Sequence, residues 1–314
     1  MKPLPLAALP VALLLAACGN YSNEDLIFYN ALPDRAQLTS HAPDSGTGAG
    51  GSSLLGRGSG TESAGVGEHS TVYDDVGIWV LTANGIVYSV LDLVEAVTRL
   101  PPTTRLAHER IWGPAPAKNQ PGFLVELVME RREDHFDYRL EFRLQAQRNA
   151  PWIPVLVGDF VASEGVRKGV GSFILDSAIA RDNGIPLENM NTLTRLSAGY
   201  DTRTSEPLTV SLTAVYLPSL HYPDFHYSDT EAANAPTVMT VDGPLADKGG
   251  LPFSILGMWV GSGAGRATLK TLSPDGTTRA EVTECWDVKA LILYQALAGA
   301  GEAGTRSACE PPLP

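Results

Sequence analysis

Phe136-Asp137-Tyr138-Arg139-Leu140-Glu141-Phe142-Arg143-Leu144-Gln145 alternates a large apolar residue with a charged or polar one along its whole length. A side-chain period of two is that of a β-strand with one buried and one wet face. Phe123, Val125, Leu127 and Met129 repeat the pattern upstream, and Arg131 to His135 supply a polar turn, so the two runs predict a hairpin. Downstream, strand-like runs follow at 152–162, 169–176, 192–200, 208–217, 236–242, 253–261, 265–272 and 278–286. Gly, Asn or Asp separates most of them, and Pro274-Asp275-Gly276 is an explicit turn. Strands in unbroken succession predict an antiparallel meander and exclude a βαβ enzyme frame.

Upstream of the hairpin the period changes. Val72, Val76, Trp79, Val80, Ala83, Val87, Val90, Leu91, Val94 and Val97 recur at three- and four-residue steps. On a helix they form a stripe roughly 120° wide. Asp74, Asn84, Ser89, Asp92, Glu95 and Arg99 fall opposite, and Pro101-Pro102 stops the element. A stripe this wide belongs to a helix packed on a sheet. A membrane-surface helix would carry Lys and Arg on its polar face, which here is mostly acidic. Residues 287–300 read as a short closing helix ending at Gly299 or Gly301.

The beginning of the chain carries an address. Met1-Lys2-Pro3 precedes an apolar run from Leu4 to Ala17 and then Cys18, the parts of a secretory signal. Leu15-Ala16-Ala17-Cys18 resembles the lipobox of bacterial lipoproteins. That resemblance implies cleavage before Cys18, a diacylglycerol on its sulfur and acylation of the new amino group with a fatty acid such as palmitate. Several acyl chains suffice for stable anchoring. Gly19 in place of Asp favours the outer membrane over the inner, by the sorting habit of enteric-type lipoproteins. The domains expected are a signal peptide (1–17), a lipidated leader (18–43), a Gly/Ser-rich linker (44–70) and one β-rich globular domain (71–314). In the leader, Asn23 is placed to cap a short helix that Pro33 ends, and Leu26-Ile27-Phe28-Tyr29 argues that this piece docks. With Cys18 lipidated, Cys285 and Cys309 remain as an even pair in an oxidising periplasm, which reads as a disulfide.

Composition narrows the function. The chain has 314 residues, is 44% hydrophobic and has a formal charge of −12. No Lys/Arg cluster offsets that charge, which excludes nucleic acid and electrostatic attraction to anionic lipid. Nothing in the sequence asks for a cofactor. His221-Tyr222-Pro223-Asp224-Phe225-His226 is the densest polar-aromatic run, and His221, Asp224 and His226 are the residue types of a zinc site. The intervening proline keeps the two imidazoles off one helix face, so a locally packed loop is the competing reading. Ser172 and Ser262 sit in strand-like contexts and not in a Gly-x-Ser-x-Gly elbow. Gly261, Gly263 and Gly265 lack the βαβ frame of a nucleotide fingerprint.

The reading that follows is α+β: a curved, mainly antiparallel sheet of about nine strands, half-barrel-like, with one long helix packed on it. This order of elements resembles the half-barrels of lipoprotein-localisation and mycobacterial-type lipid-carrier lipoproteins. The resemblance implies a ligand between helix and sheet, lined by Val80, Val87, Leu91, Phe136, Leu140 and Phe142. The same periodicity makes those six residues core candidates. The function expected is non-catalytic: a cell-envelope lipoprotein that binds an apolar ligand, a lipid or a partner envelope protein, or that is structural. The alternative is a periplasmic metal-dependent hydrolase built on the His221/His226 loop.

Overall fold

In the computed structural model, residues 21–44, 65–147, 149–188, 190–245 and 250–313 are described. The signal peptide, Cys18 and most of the Gly/Ser-rich linker lie outside them. One antiparallel sheet of 15 strands organises the chain, and every strand pairs with the next in sequence. The strands are β1 (Thr104–Leu106), β2 (Glu109–Pro116), β3 (Phe123–Arg132), β4 (His135–Leu144), β5 (Ile153–Ala162), β6 (Gly169–Asp176), β7 (Leu193–Asp201) and β8 (Leu208–Tyr216). They continue as β9 (Phe225–Glu231), β10 (Thr237–Leu245), β11 (Leu251–Trp259), β12 (Gly265–Leu272), β13 (Thr278–Trp286), β14 (Ile292–Leu297) and β15 (Gly301–Gly304). β1 and β15 are the two edges, and the sheet does not close. Among the described residues four α-helices accompany it: α1 (Asn23–Tyr29), α2 (Arg35–Leu38), α3 (Thr71–Thr98) and α4 (Ser177–Asp182).

The expected hairpin forms with Leu127 opposite Leu140 and Met129 opposite Tyr138. The strand count rises from about nine to 15 for identifiable reasons. β1 and β2 lie among prolines and carry no clean alternation. β9 takes over half of the histidine-rich run expected as a loop; its Phe225, Tyr227 and Asp229 are buried on one face. The closing helix expected over 287–300 is instead β14 and the turn into β15. There β14 adds to the free edge of β13, and Cys285 is bonded to Cys309 with Cα atoms 5.4 Å apart.

α3 lies against one face of the sheet and reaches from late strands to early ones. Its first turn meets β13, where Glu284 accepts hydrogen bonds from Ser70 Oγ (2.6 Å) and Gln295 Nε2 (2.7 Å). Ser70 also caps the helix by accepting from the Tyr73 amide. A buried carboxylate at the positive end of a helix is favourably placed. Burial still pushes the Glu284 carboxyl up, against the hydrogen bonds from Ser70 and Gln295 that hold it down. Further along, the Trp79 ring stacks between Phe225 and Phe253, at 5.7 and 4.6 Å. At the far end Thr98 is buried near β2 and its carbonyl accepts from Tyr21, whose hydroxyl also receives Trp112 Nε1–H.

Residue size along the sheet sets how deeply the helix sits. One row of directly opposed residues crosses the helix-covered face: Phe136, Phe160, Gly171, Tyr200, Val210, Asp229, Met239, Gly257, Ala267 and Glu284. Gly257 and Ala267 leave room for Val76; a Cβ on Gly257 would stand 3.4 Å from the Val76 methyl. At the other end Phe136 and Phe160 fill the space below the leader. Each large side chain buried here contributes on the order of 2 kcal/mol.

The leader runs antiparallel to α3 and covers the face that periodicity assigned to solvent. Thr39 Oγ1 meets Tyr88 OH (2.6 Å), Asn84 makes a pair of 2.9 Å hydrogen bonds with the Ser40 backbone, and Tyr73 OH donates to the Pro43 carbonyl (2.8 Å). Arg35 pairs with Asp92 and Glu95. Ser22, and not Asn23, caps α1 in a capping box with Asp25. Phe28, Ala31, Leu32 and Leu38 belong to the main hydrophobic core. Among the described residues, α3 is the one helix long and apolar enough to cross a bilayer; its apolar stripe is buried against sheet and leader.

Candidate functional site

The helix and the far end of the sheet leave a cleft of about 610 Å³. One wall is the C-terminal half of α3: Leu93, Ala96, Val97 and Leu100 face it. The floor is Val125 in β3, Phe142 in β4 and Leu175 in β6, all buried. The opposite wall is Ala115, Pro116 and Ala117 at the end of β2, with Leu187 and Met190 from the segment after α4. Gln120 Nε2 donates to the Pro186 carbonyl (3.2 Å) and ties these two segments together. Asp92, Arg99, Lys118, Asn119 and Glu188 form a polar rim. An apolar floor with a few polar groups at the mouth, at this volume, is the usual form of a small-molecule site. A second recess of about 190 Å³, between leader and helix, is lined by Asp34, Glu95, Arg99 and Arg167 among others. It is smaller than most ligand sites and more polar.

Of the six residues expected to line a ligand space, Val80, Val87, Leu91, Phe136 and Leu140 lie in the packed core. Phe142 also belongs to the core and is the one that reaches the cleft. The void lies one helix face away from the stripe that periodicity singled out. Leu93, Ala96 and Leu100, at steps of three and four, join Val97 of that stripe in an apolar row that is legible in the sequence. Leu187 and Met190 carried no such signal, because they sit in irregular chain.

His221, Asp224 and His226 do not converge on a cation. His221 and Asp224 are exposed; His221 has φ 53° and its Nδ1 lies 3.1 Å from the Ser219 carbonyl. His226 points from the exposed face of β9 to Thr213 Oγ1 (3.2 Å). Among the described residues no group of three His, Cys, Asp or Glu is arranged to hold a metal. Ser172 donates to Asp159 across the β5–β6 pair.

Two buried carboxylates show opposite electrostatics. Asp25 feels burial, which raises its pKa, but the Ser22 amide and the guanidiniums of Arg110 (2.8 Å) and Arg105 (3.0 Å) outweigh it and hold it at about 2. Asp229 is pushed up to about 7 by burial and by nearby Glu231, against hydrogen bonding from Ser40. Glu231 in turn holds the exposed His41 ring at 3.0 Å, so both acids face the leader.

No protein-family model, curated protein or solved structure matches the chain. Function therefore has to be argued from the cleft, the charges and the chain's own chemistry.

Proposed function

We propose that this is a non-catalytic cell-envelope lipoprotein, anchored through acyl chains on Cys18, whose domain binds an apolar ligand such as a lipid in the cleft beside α3. The observation that carries the reading is the cleft itself. Its floor of Val125, Phe142 and Leu175 and the facing Leu187 and Met190 are apolar, and its polar rim stands at the mouth. An apolar molecule entering it removes oily surface from water at roughly 25 cal/mol per Å². The lipobox-like Leu15-Ala16-Ala17-Cys18, the Gly19 that follows and the disulfide between Cys285 and Cys309 support an exported chain at the outer membrane. The acidic surface supports anchoring by acyl chains and not by charge.

Native mass spectrometry of the chain purified from a bacterial envelope tests the binding reading. A bound lipid or other apolar mass is expected. In parallel, Ala96→Trp places an indole in the cleft from an exposed helix position and should abolish binding of a fluorescent apolar probe, N-phenylnaphthylamine, with the thermal midpoint unchanged. Equal probe binding by the wild type and Ala96→Trp, with no co-purifying ligand, would count against the cleft.

A further inference from the structure

We propose that the corner of the fold where the leader begins is a membrane-docking face, and that it holds the cleft mouth at the lipid surface. This rests on the reading of Cys18 as the lipid anchor. Three large apolar side chains surround that corner and are open to solvent: Leu26 of α1 (40% exposed), Leu100 after α3 (74%) and Leu106 of edge strand β1 (57%). They are linked through a short set of contacts. Tyr21 OH donates to the Leu100 carbonyl, Arg110 donates to the Leu106 carbonyl, and the same Arg110 pairs with Asp25, the neighbour of Leu26. Single exposed leucines are ordinary, but several around one corner mark an interaction surface.

The position of the anchor selects the occupant. Tyr21 is fixed against Thr98 and Leu100, and Cys18 precedes it by three residues. Three residues of chain reach at most about 10 Å. Acyl chains inserted in a bilayer would therefore hold this corner within about that distance of the membrane. Charge permits the approach. In a chain of net −12, two acids of this corner are paired, Asp25 with Arg105 and Arg110 and Glu24 with Arg110, while Glu109 lies opposite Leu106 on β2. Leu100 also lines the cleft, so the face presented to lipid and the mouth of the cleft adjoin. An apolar ligand would then pass between bilayer and cleft along Leu100 without crossing bulk water.

The test uses the full chain, expressed with its leader and reconstituted into phosphatidylethanolamine/phosphatidylglycerol vesicles. Nitroxide labels are placed one at a time by Leu26→Cys, Leu100→Cys and Leu106→Cys. A control label goes at Val157→Cys, an exposed position on β5. Collision with oxygen relative to a water-soluble nickel chelate should be several-fold higher at the three corner positions than at Val157. A chain that floats with the vesicles but shows water-like collision at all four positions overturns the docking face and leaves the anchor standing. A chain that does not float overturns the anchor, and the docking face with it. Spin–spin broadening at the corner that vanishes on dilution with unlabelled chain would identify a second copy as the occupant and overturn the membrane assignment.

Discussion

Replacing Phe28 by Ala probes whether the leader belongs to the cooperative unit. The Phe28 ring is 2% exposed, packs edge-to-face on Phe136 at 5.7 Å and lies under the Arg110 guanidinium at 4.6 Å. Removing a fully buried ring costs about 2 kcal/mol in transfer free energy alone. The aromatic pair and the cation–π contact add on the order of 1 kcal/mol each. The resulting loss of about 4 kcal/mol lies within the range for Phe→Ala in cores. With a urea slope near 3 kcal/mol per M, the midpoint should fall by roughly 1 M with the slope unchanged. The assay is urea denaturation followed by tryptophan fluorescence, together with limited proteolysis. Trp112 and Trp286 are both fully buried and sit at opposite ends of α3, so they report on the two halves of the fold. If the midpoint stays put while the leader alone becomes protease-sensitive, the leader is a peelable strap, and its assignment to the core is refuted.

Other perturbations have defined signs. Asp229 titrates near 7 when folded and near 3.8 when unfolded, so the folded state retains a proton that the unfolded chain has released between those values. Stability should therefore fall as pH rises from about 4 to 7, and Asp229→Asn should raise the urea midpoint at pH 8 by more than at pH 5; an equal effect at both would sink the assignment. Asp25 has the opposite sign. Its stabilisation, about 2 kcal/mol, is present above the unfolded pKa near 3.8 and is lost as pH falls through about 2, so Asp25→Asn should cost stability at pH 6 and little at pH 2, by thermal melts. Removing the disulfide with Cys285→Ala and Cys309→Ala opens a loop of 24-residue separation and should cost about 3 kcal/mol in the chain-entropy model, read as a lower thermal midpoint. Gly158 accommodates the Tyr138 ring, where a Cβ would stand 2.3 Å from it, so Gly158→Ala should destabilise by about 1–3 kcal/mol and cost less when combined with Tyr138→Leu. A double-mutant cycle in urea measures the coupling, and additive costs would argue against that contact.

Much of the architecture is legible where one physical signal dominates. The alternation in β3 and β4 survives because one face is core and the other water, and α3 keeps its stripe through Gly85 without a break. The C-terminal strands are illegible for the opposite reason. Leu291-Ile292-Leu293-Tyr294 has apolar residues at consecutive positions, so neither period shows, and only pairing with β13 makes the segment extended. β9 hides behind its composition, since Asp229 occupies an inward position that apolar pattern-matching rejects. The leader misleads on the helix's polar face: Asn84 reads as solvent-facing, yet it meets the Ser40 backbone. The cleft is set by where the helix stops filling the sheet's hollow. That is a property of two elements together, and the sequence of either one does not contain it.

The unbroken strand order has a kinetic consequence. Every ladder joins neighbours in sequence, so nearly all sheet contacts close short stretches of chain, and proteins rich in such contacts fold fast for their size. Leader and helix precede the first strand, so a chain emerging from a pore amino end first presents its scaffold before its sheet. Each new hairpin can then settle on a surface that already exists, leaving only its newest strand as an open edge. One of the longest-range contacts forms late, when Glu284 reaches Ser70 across 214 residues and seats β13 against the start of α3. A truncation before β13 should accumulate as a chain whose earlier strands are paired while the first turn of its long helix lacks its Glu284 partner.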